Sequence, residues 1–521
     1  MILFKNKYLL IPGKLKKPIG RQVVVKGKEL TALPWNLHTY LICKSMGLKR
    51  LPSPLATYDF TRTPYLPYKH QKATSEFLVQ HLKCFCWNEA GTGKTASCIW
   101  AYDFLRQQKV VDKLLVICPL STTQNVWGNE LFKMMMRELA GVLTGARAKR
   151  LELLENDFSI YVINHDGIKI MLDELLKWQP DLIIIDEHTA FKNQRTERFR
   201  ALMKLAKKAK GIWMLSGTPA PQAPTDVFAP GRIVCPDKVG RSFVRFRDKT
   251  MYQVSQYRWL PRSNFEEIIK ECVGPVIRFA RDECLDLPDK VVQTFEVPLS
   301  IKQRDVFNEL KRDAIIQMSP KKINGKWVKP KITAANEGVM RNKLLQCCSG
   351  YVYDTEKNVI DLNPKYRLEA IRDIITESKR GVLVFMSFKS SIAATAKYLS
   401  KYFKVKTITG ATSVRKRTKY FGDFQEGKIK VIIAHPKTTG HGVTLTEADT
   451  VIWGLILSDN ELYEQANARI QRIGQAHKMR IIRLISTPLE RQILIRLEEK
   501  RSMQGVLLEV LGKHLKNRSK V

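Results

Sequence analysis

The chain has 521 residues, more than a single hydrophobic core usually serves, so two or more domains are expected. Apolar residues make up 44% and charged residues 26%, a composition that excludes a disordered or fibrous chain. The charge is lopsided: 88 Lys and Arg against 50 Asp and Glu leave a formal +38, which attracts polyanions, phosphate backbones above all.

In chain order, residues 1–60 are short apolar runs broken by Gly and Pro, with eleven Lys and Arg against Glu29 and Asp59. They predict a small, basic, β-rich accessory domain. Over 61–235, apolar runs alternate with helix-like stretches: KCFCWN (83–88), KLLVICP (113–119), SIYVIN (159–164), DLIIIDE (181–187) and GIWMLSG (211–217). Continuous Val/Ile/Leu runs in this rhythm predict strands buried on both faces of a parallel sheet. The segment 236–360 reads as a helical, irregular insertion. Within it Lys311, Arg312, Lys321, Lys322, Lys326, Lys329 and Lys331 accompany one acid, Asp313. Interrupted by Pro320, Gly325 and Pro330, that stretch predicts an exposed basic loop. The sheet rhythm returns over 361–498 at GVLVFMS (381–387), KVKTITG (404–410), IKVIIAH (429–435), DTVIWG (449–454) and MRIIRLIS (479–486). Residues 499–521 read as an amphipathic helix with a basic tail. The expected fold is α/β, with two parallel-sheet units in tandem, a helical insertion between them and a small N-terminal β-rich domain.

Ten cysteines show no zinc spacing and several lie in apolar runs, which predicts reduced, buried thiols. The lysine-broken N-terminus is unlike a signal peptide, and no apolar run approaches about eighteen residues. A soluble, cytoplasmic chain with no membrane partner is expected.

Three motifs carry chemistry. Asn88-Glu89-Ala90-Gly91-Thr92-Gly93-Lys94-Thr95 follows one strand run and opens a helix. Its glycines let backbone amides turn toward a triphosphate, Lys94 can reach the β- and γ-phosphates, and the Thr95 hydroxyl can sit on Mg2+. Gly91, Thr92 and Gly93 complete the ATP cradle, although the strict pattern has Gly where Asn88 stands. The apolar run Leu182–Ile185 ends in Asp186 and Glu187, fitting a magnesium-holding acid followed by the acid that orients and deprotonates the attacking water. Arg469 and Arg472, three apart and so on one face of a helix, suit the γ-phosphate of an ATP held by another lobe.

These blocks, in this order, resemble the Swi/Snf-type DNA translocases of helicase superfamily 2, over residues 63 to 495. Leu66-Pro67-Tyr68-Lys69-His70-Gln71 resembles the family's adenine-side motif, which implies Gln71 as the adenine contact. Residues 114–130 resemble motif Ia, 161–168 motif Ib, Leu215-Ser216-Gly217-Thr218-Pro219 motif III, 381–391 motif IV and 435–449 motif V. The Arg-Ile-Gly-Gln ending at 472–475 is similar to motif VI. The resemblance implies two RecA-like lobes that clamp ATP and Mg2+, with Gly442 also at the nucleotide. It implies contacts to double-stranded DNA from Ser121, Thr122, Ser387, Lys389, Thr409, Gly410, Thr438, Thr439 and Gly440. Such contacts reach phosphates and carry no sequence information. Single-stranded DNA or RNA are the alternative partners, for a strand-separating helicase or an RNA-dependent ATPase of the same superfamily. An ATP-switched binding protein without motor activity is the alternative outside the enzymes. The chain departs from the family at His188-Thr189, where Ala-His is usual, and at Ser216, Gly454 and 458–463. The last of these look more like compact phage and bacterial members, which would work in the cytoplasm of a bacterial or infected host.

Overall fold

The computed structural model describes residues 1–499, apart from 6, 14–19, 26, 137, 222, 256–257, 285–287, 319–320, 324–325, 329–333, 355, 357, 439–443, 458 and 473. The C-terminal helix and tail expected beyond residue 499 lie outside the described residues. The described chain divides into two compact units, separating after Cys284.

The first unit opens with β1 (Ile2–Phe4), β2 (Tyr8–Pro12), β3 (Arg21–Val25) and β4 (Lys28–Pro34), an antiparallel sheet of order β1-β2-β4-β3. Strand alternation puts Leu9, Ile11, Thr31 and Leu33 on one buried face. Helix α1 (Leu37–Ser45) follows, started by a reciprocal cap in which Asn36 Oδ1 accepts the Thr39 N–H at 2.9 Å and Thr39 Oγ1 accepts the Asn36 N–H at 3.1 Å. Its Leu37, Tyr40 and Cys43, spaced three apart, share a core with the sheet.

Next come α2 (Lys69–Gln80), β5 (Lys83–Cys86), α3 (Lys94–Gln107), β6 (Leu114–Cys118), β7 (Ala140–Leu143), β8 (Ile160–Asn164), β9 (Leu182–Ile185) and β10 (Gly211–Leu215). With β11 (Val276–Ile277) they form an all-parallel sheet of order β11-β5-β10-β9-β6-β8-β7. Every residue of β6, β9 and β10 is buried, as their uninterrupted apolar runs predict. Each buried Val, Leu or Ile side chain there contributes on the order of 1.5–3 kcal/mol. The strand ends align, Leu215 opposite Cys86 and Met214 opposite Ile185, so the motifs that follow β5, β9 and β10 emerge at one edge. That carboxyl edge is where open α/β sheets bind ligands.

The second unit begins with β12 (Lys290–Glu296) and the long helices Ile301–Met318 and Ala334–Ser349. Between those helices the predicted loop instead contains a hairpin, Lys321–Ile323 paired with Lys326–Val328. In the sequence, Asn-Gly at 324–325 is a strong two-residue hairpin signal. Helix α4 (Lys365–Glu377), β13 (Gly381–Phe385), β14 (Val405–Ile408), β15 (Val431–Ala434), β16 (Ala448–Trp453), α5 (Asn460–Asn467) and β17 (Met479–Ile485) complete it. Its sheet is also all parallel, in the order β12-β17-β16-β13-β15-β14. The buried Arg367 of α4 donates to Glu490 Oε1 at 2.9 Å and to Ser486 Oγ at 2.6 Å, binding α4 to the segment after β17.

The fold is thus the expected α/β arrangement of two parallel-sheet lobes, helices between them and an N-terminal β sheet. The segment between the lobes also supplies an edge strand to each sheet, β11 and β12. Among the described residues no helix is long and apolar enough to cross a membrane. All ten cysteines are free, and eight of them are buried.

Candidate nucleotide and nucleic-acid sites

The phosphate loop links β5 to α3. Gly91 and Gly93 have φ of 89° and 82°, the left-handed region in which a side chain is costly. A Cβ on Gly93 would also lie 2.0 Å from Gln71 Nε2, so a side chain there would displace Gln71 as well as strain the backbone. Lys94 Nζ donates to the carbonyls of Asn88 (2.8 Å) and Glu89 (3.1 Å), which holds its charge at the centre of the loop. Thr95 is half-buried in the first turn of α3.

Residues inside and outside the motif hold this loop, Thr74, Phe279 and Arg278 among those the sequence did not signal. Asn88 Oδ1 accepts the Phe279 N–H at 2.9 Å while its Nδ2 donates to Thr74 Oγ1 at 2.8 Å, so the side chain ties the loop both to α2 and to the chain beyond β11. His70 Nε2 and Gln71 Nε2 both donate to Thr92 O, at 2.9 and 3.2 Å. Gln71, expected at the adenine, is buried and braces the loop; its Oε1 also accepts the Tyr68 N–H. Arg278 donates to Glu89 Oε1 at 2.9 Å. Burial pushes the Glu89 carboxyl up, but Arg278 and Arg281 outweigh it and hold the group below the usual carboxylate range.

Asp186 and Glu187 stand at the end of β9, two strands from the loop, with β10 between. Ser216 bridges the gap, its N–H donating to Cys86 O at 3.1 Å, and a Cβ on Gly217 would come within 3.1 Å of the Ala90 nitrogen. The buried Cys86 thiol senses both charges: burial lifts its pKa to about 11, Lys94 pulls it down and Asp186 pushes it up. Glu187 has φ of 51° and ψ of 59°, a strained conformation for a residue with a side chain. His188 follows, fully buried, with Nε2 accepting the indole N–H of Trp87 at 2.9 Å. Burial pushes its pKa down to about 3, so it is neutral. The departure at His188-Thr189 thus places a neutral ring against the residue just before the phosphate loop. Among the described residues no group of three or more His, Cys, Asp or Glu could hold a metal. One acid, Asp186, and one hydroxyl, Thr95, fit a magnesium ion that takes its other oxygens from phosphates and water.

In the second unit the helix carrying the motif stops at Asn467, so Arg469 and Arg472 lie in the turns after it and not on one helical face. Hydrogen bonds to backbone carbonyls hold this stretch instead. Leu445 N–H donates to Arg469 O at 2.9 Å, and Gln475 Nε2 donates to the carbonyls of Ala448 (2.9 Å) and Ile470 (3.1 Å). Arg469 is buried. Arg472 donates to Ala468 O at 3.3 Å and to Thr444 Oγ1 at 3.2 Å.

The residues expected at a nucleic acid are unequal in exposure. Ser121 is half-buried, whereas Thr122 is buried and donates its hydroxyl to Pro119 O at 2.9 Å. Lys389 is exposed at the start of its helix, and Ser387 Oγ is buried with no hydrogen-bond partner among the described residues. Gly410 is exposed; Arg417 Nη2 braces the turn before its own helix by donating to Thr412 O at 3.1 Å. The Thr438 hydroxyl lies 2.7 Å from His435 O and 2.9 Å from Ile408 O. Thr439, Gly440 and Gly442 lie outside the described residues.

A phosphate loop, an acid pair two strands away in the sheet, and a second parallel-sheet lobe with paired arginines define a two-lobed ATPase of the superfamily 2 helicase class. Residues 30–349 match the SNF2-related domain and residues 366–474 the helicase conserved C-terminal domain; the protein belongs to the SNF2-related family. It is an ATP hydrolase of the Swi/Snf-like class. The chain is 25% identical over 483 residues to protein p41 of Acyrthosiphon pisum secondary endosymbiont phage 1, covering 85% of this chain and 98% of that one. It is 26% identical over 415 residues to an uncharacterized ATP-dependent helicase, MG018, of Mycoplasma genitalium, covering 77% of this chain and only 37% of that protein. Among solved structures, the Sulfolobus solfataricus SWI2/SNF2 ATPase core in complex with dsDNA is similar at 22% identity and a TM-score of 0.41, covering 86% of this chain and 94% of that one.

Proposed function

We propose that the protein is a DNA-dependent ATPase that uses ATP hydrolysis to translocate along double-stranded DNA. The observation that carries this reading is the meeting of three strand ends at one sheet edge: the loop centred on Lys94, the Ser216 turn packed against it, and Asp186-Glu187 beyond. Lys94 and the loop amides bind and orient the triphosphate. Thr95 and Asp186 would hold Mg2+, which neutralises phosphate charge when bound. Glu187 takes the proton of the attacking water, and Arg469 and Arg472 stabilise charge on the γ-phosphate as its bond breaks. The +38 charge suits a track of phosphates, so binding is largely indifferent to sequence and weakens steeply with salt. Lobe movement follows because ATP favours the closed state more than ADP does.

The test is the steady-state ATPase rate alone and with duplex DNA, single-stranded DNA and RNA. Stimulation by duplex DNA that a Glu187→Gln variant abolishes is the expected result. Stimulation chiefly by RNA or single strands would replace the duplex reading with that of a strand-separating or RNA-dependent enzyme. No stimulation by any of the three would remove the motor reading.

A further inference from the structure

Asp186 is held at three points by groups that the reaction does not use. Its backbone N–H donates to Ile117 O at 2.9 Å, joining it to β6. Its side-chain Oδ2 accepts the indole N–H of Trp127 at 3.0 Å. Its carbonyl oxygen accepts Nε2–H of His165 at 2.8 Å, which sets the tautomer of that ring. Trp127 comes from the segment after β6 and His165 is the first residue after β8; both strands lie on the same side of β9 in the sheet.

The backbone that delivers Trp127 is unusual. A 3-10 turn, Leu120–Thr122, runs directly into a π-helical turn, Thr123–Gly128. The π turn closes i→i+5 hydrogen bonds and is wider than an α-helical turn, a feature frequent at functional sites. Here it turns a fully buried Trp127 inward to Asp186 while leaving Gln124 and Asn125 exposed on the other side. The His165 segment has the same two-sided character, with Asp166 and Lys169 exposed close behind the ring. Both segments therefore present polar groups outward and a hydrogen-bond donor to the metal-binding acid inward.

We propose that Trp127 and His165 are positioning residues that fix the aim of the Asp186 carboxylate, and thereby the magnesium-dependent part of nucleotide binding. The proposal rests on the function given above and adds the residues that aim its metal-binding acid. A charge-assisted bond from a rigid, packed indole fixes the plane of the carboxylate. Outer partners of a metal ligand typically govern affinity or activity by about 10–100-fold.

The experiment uses the full chain and the variants Trp127→Phe and His165→Leu. Trp127→Phe keeps an aromatic ring and deletes only the N–H. Three quantities are measured: ADP affinity with Mg2+ and with EDTA, affinity for random-sequence duplex DNA, and ATPase rate with and without that DNA. We expect both variants to bind DNA and metal-free ADP within about twofold of the parent. Each should lose about tenfold of the tightening that Mg2+ confers on ADP. A purely structural role would lower all affinities in parallel and depress the melting temperature. That pattern, or full retention of the Mg2+ effect in either folded variant, overturns the proposal. Should Trp127→Phe not fold, the half-buried His165→Leu decides alone. If the parent enzyme shows no stimulation by DNA, the motor reading fails, whereas an intact Mg2+ effect in the variants counts against the positioning role itself.

Discussion

Replacing Asn88 by Gly brings the phosphate loop to the strict Gly-x4-Gly-Lys-Thr pattern, and the structure makes this a damaging change. Asn88 is buried, and its amide makes two hydrogen bonds, 2.9 Å from the Phe279 N–H and 2.8 Å to Thr74 Oγ1. The Thr74 hydroxyl keeps its bond to His70 O at 2.8 Å, so the greater loss falls on the Phe279 N–H. Two lost bonds cost about 1–3 kcal/mol, and the N–H left without its acceptor adds to this. A glycine adds about 0.5–1 kcal/mol through the freedom it gives the unfolded chain. The sum is about 2–5 kcal/mol, on the order of 10 °C in the melting temperature of a unit this size. The loop also loses its tie to α2, so ATP binding should weaken. Calorimetry and nucleotide titration of Asn88→Gly and Asn88→Ala test this, with Ala expected to lie between parent and Gly. A Gly variant that melts within about 2 °C of the parent and turns over ATP at the parental rate would refute the argument, because the two bonds would then contribute nothing.

Other perturbations give distinct outcomes. Lys94→Ala should abolish ATP turnover while leaving DNA affinity nearly unchanged, read by ATPase assay and filter binding; lost DNA binding would make the loop structural. Arg472→Ala should slow hydrolysis by about 10²-fold or more with little change in ATP affinity, as for removal of one donor to a developing charge; equal losses in both would undercut its assignment. Acid should destabilise the first unit through His188, whose ordinary pKa of 6.5 falls to about 3 on burial. Between those values the unfolded chain binds a proton that the folded one does not. The stability from keeping this ring neutral is therefore complete above pH 6.5 and declines by about 1.4 kcal/mol per pH unit as pH falls toward 3. His188→Asn should show a flatter decline over that range in urea titrations, and an unchanged slope would exclude His188 as the titrating group.

Much of the architecture is legible in the sequence because its cause is local. Leu114–Cys118, Leu182–Ile185 and Gly211–Leu215 are too apolar to face water on either side, so they read as central parallel strands, and they are. The loop of Gly91, Gly93 and Lys94 is legible because left-handed backbone needs Gly at particular spacings. The edge strands Val276–Ile277 and Lys290–Glu296 are not legible, the first being too short and the second largely exposed, so neither carries a periodic signal. The helix expected beneath the paired arginines is absent, because it stops at Asn467 and hydrogen bonds from more distant residues hold the stretch instead. The tertiary structure alone decides what surrounds the chemistry. Asn88 meets Phe279 across 191 positions, Trp87 meets His188 across 101, and Trp127 reaches Asp186 across 59. Residue spacing encodes periodicity along one element, whereas these bonds depend on which strands become neighbours in the sheet, and only the folded chain brings them within reach.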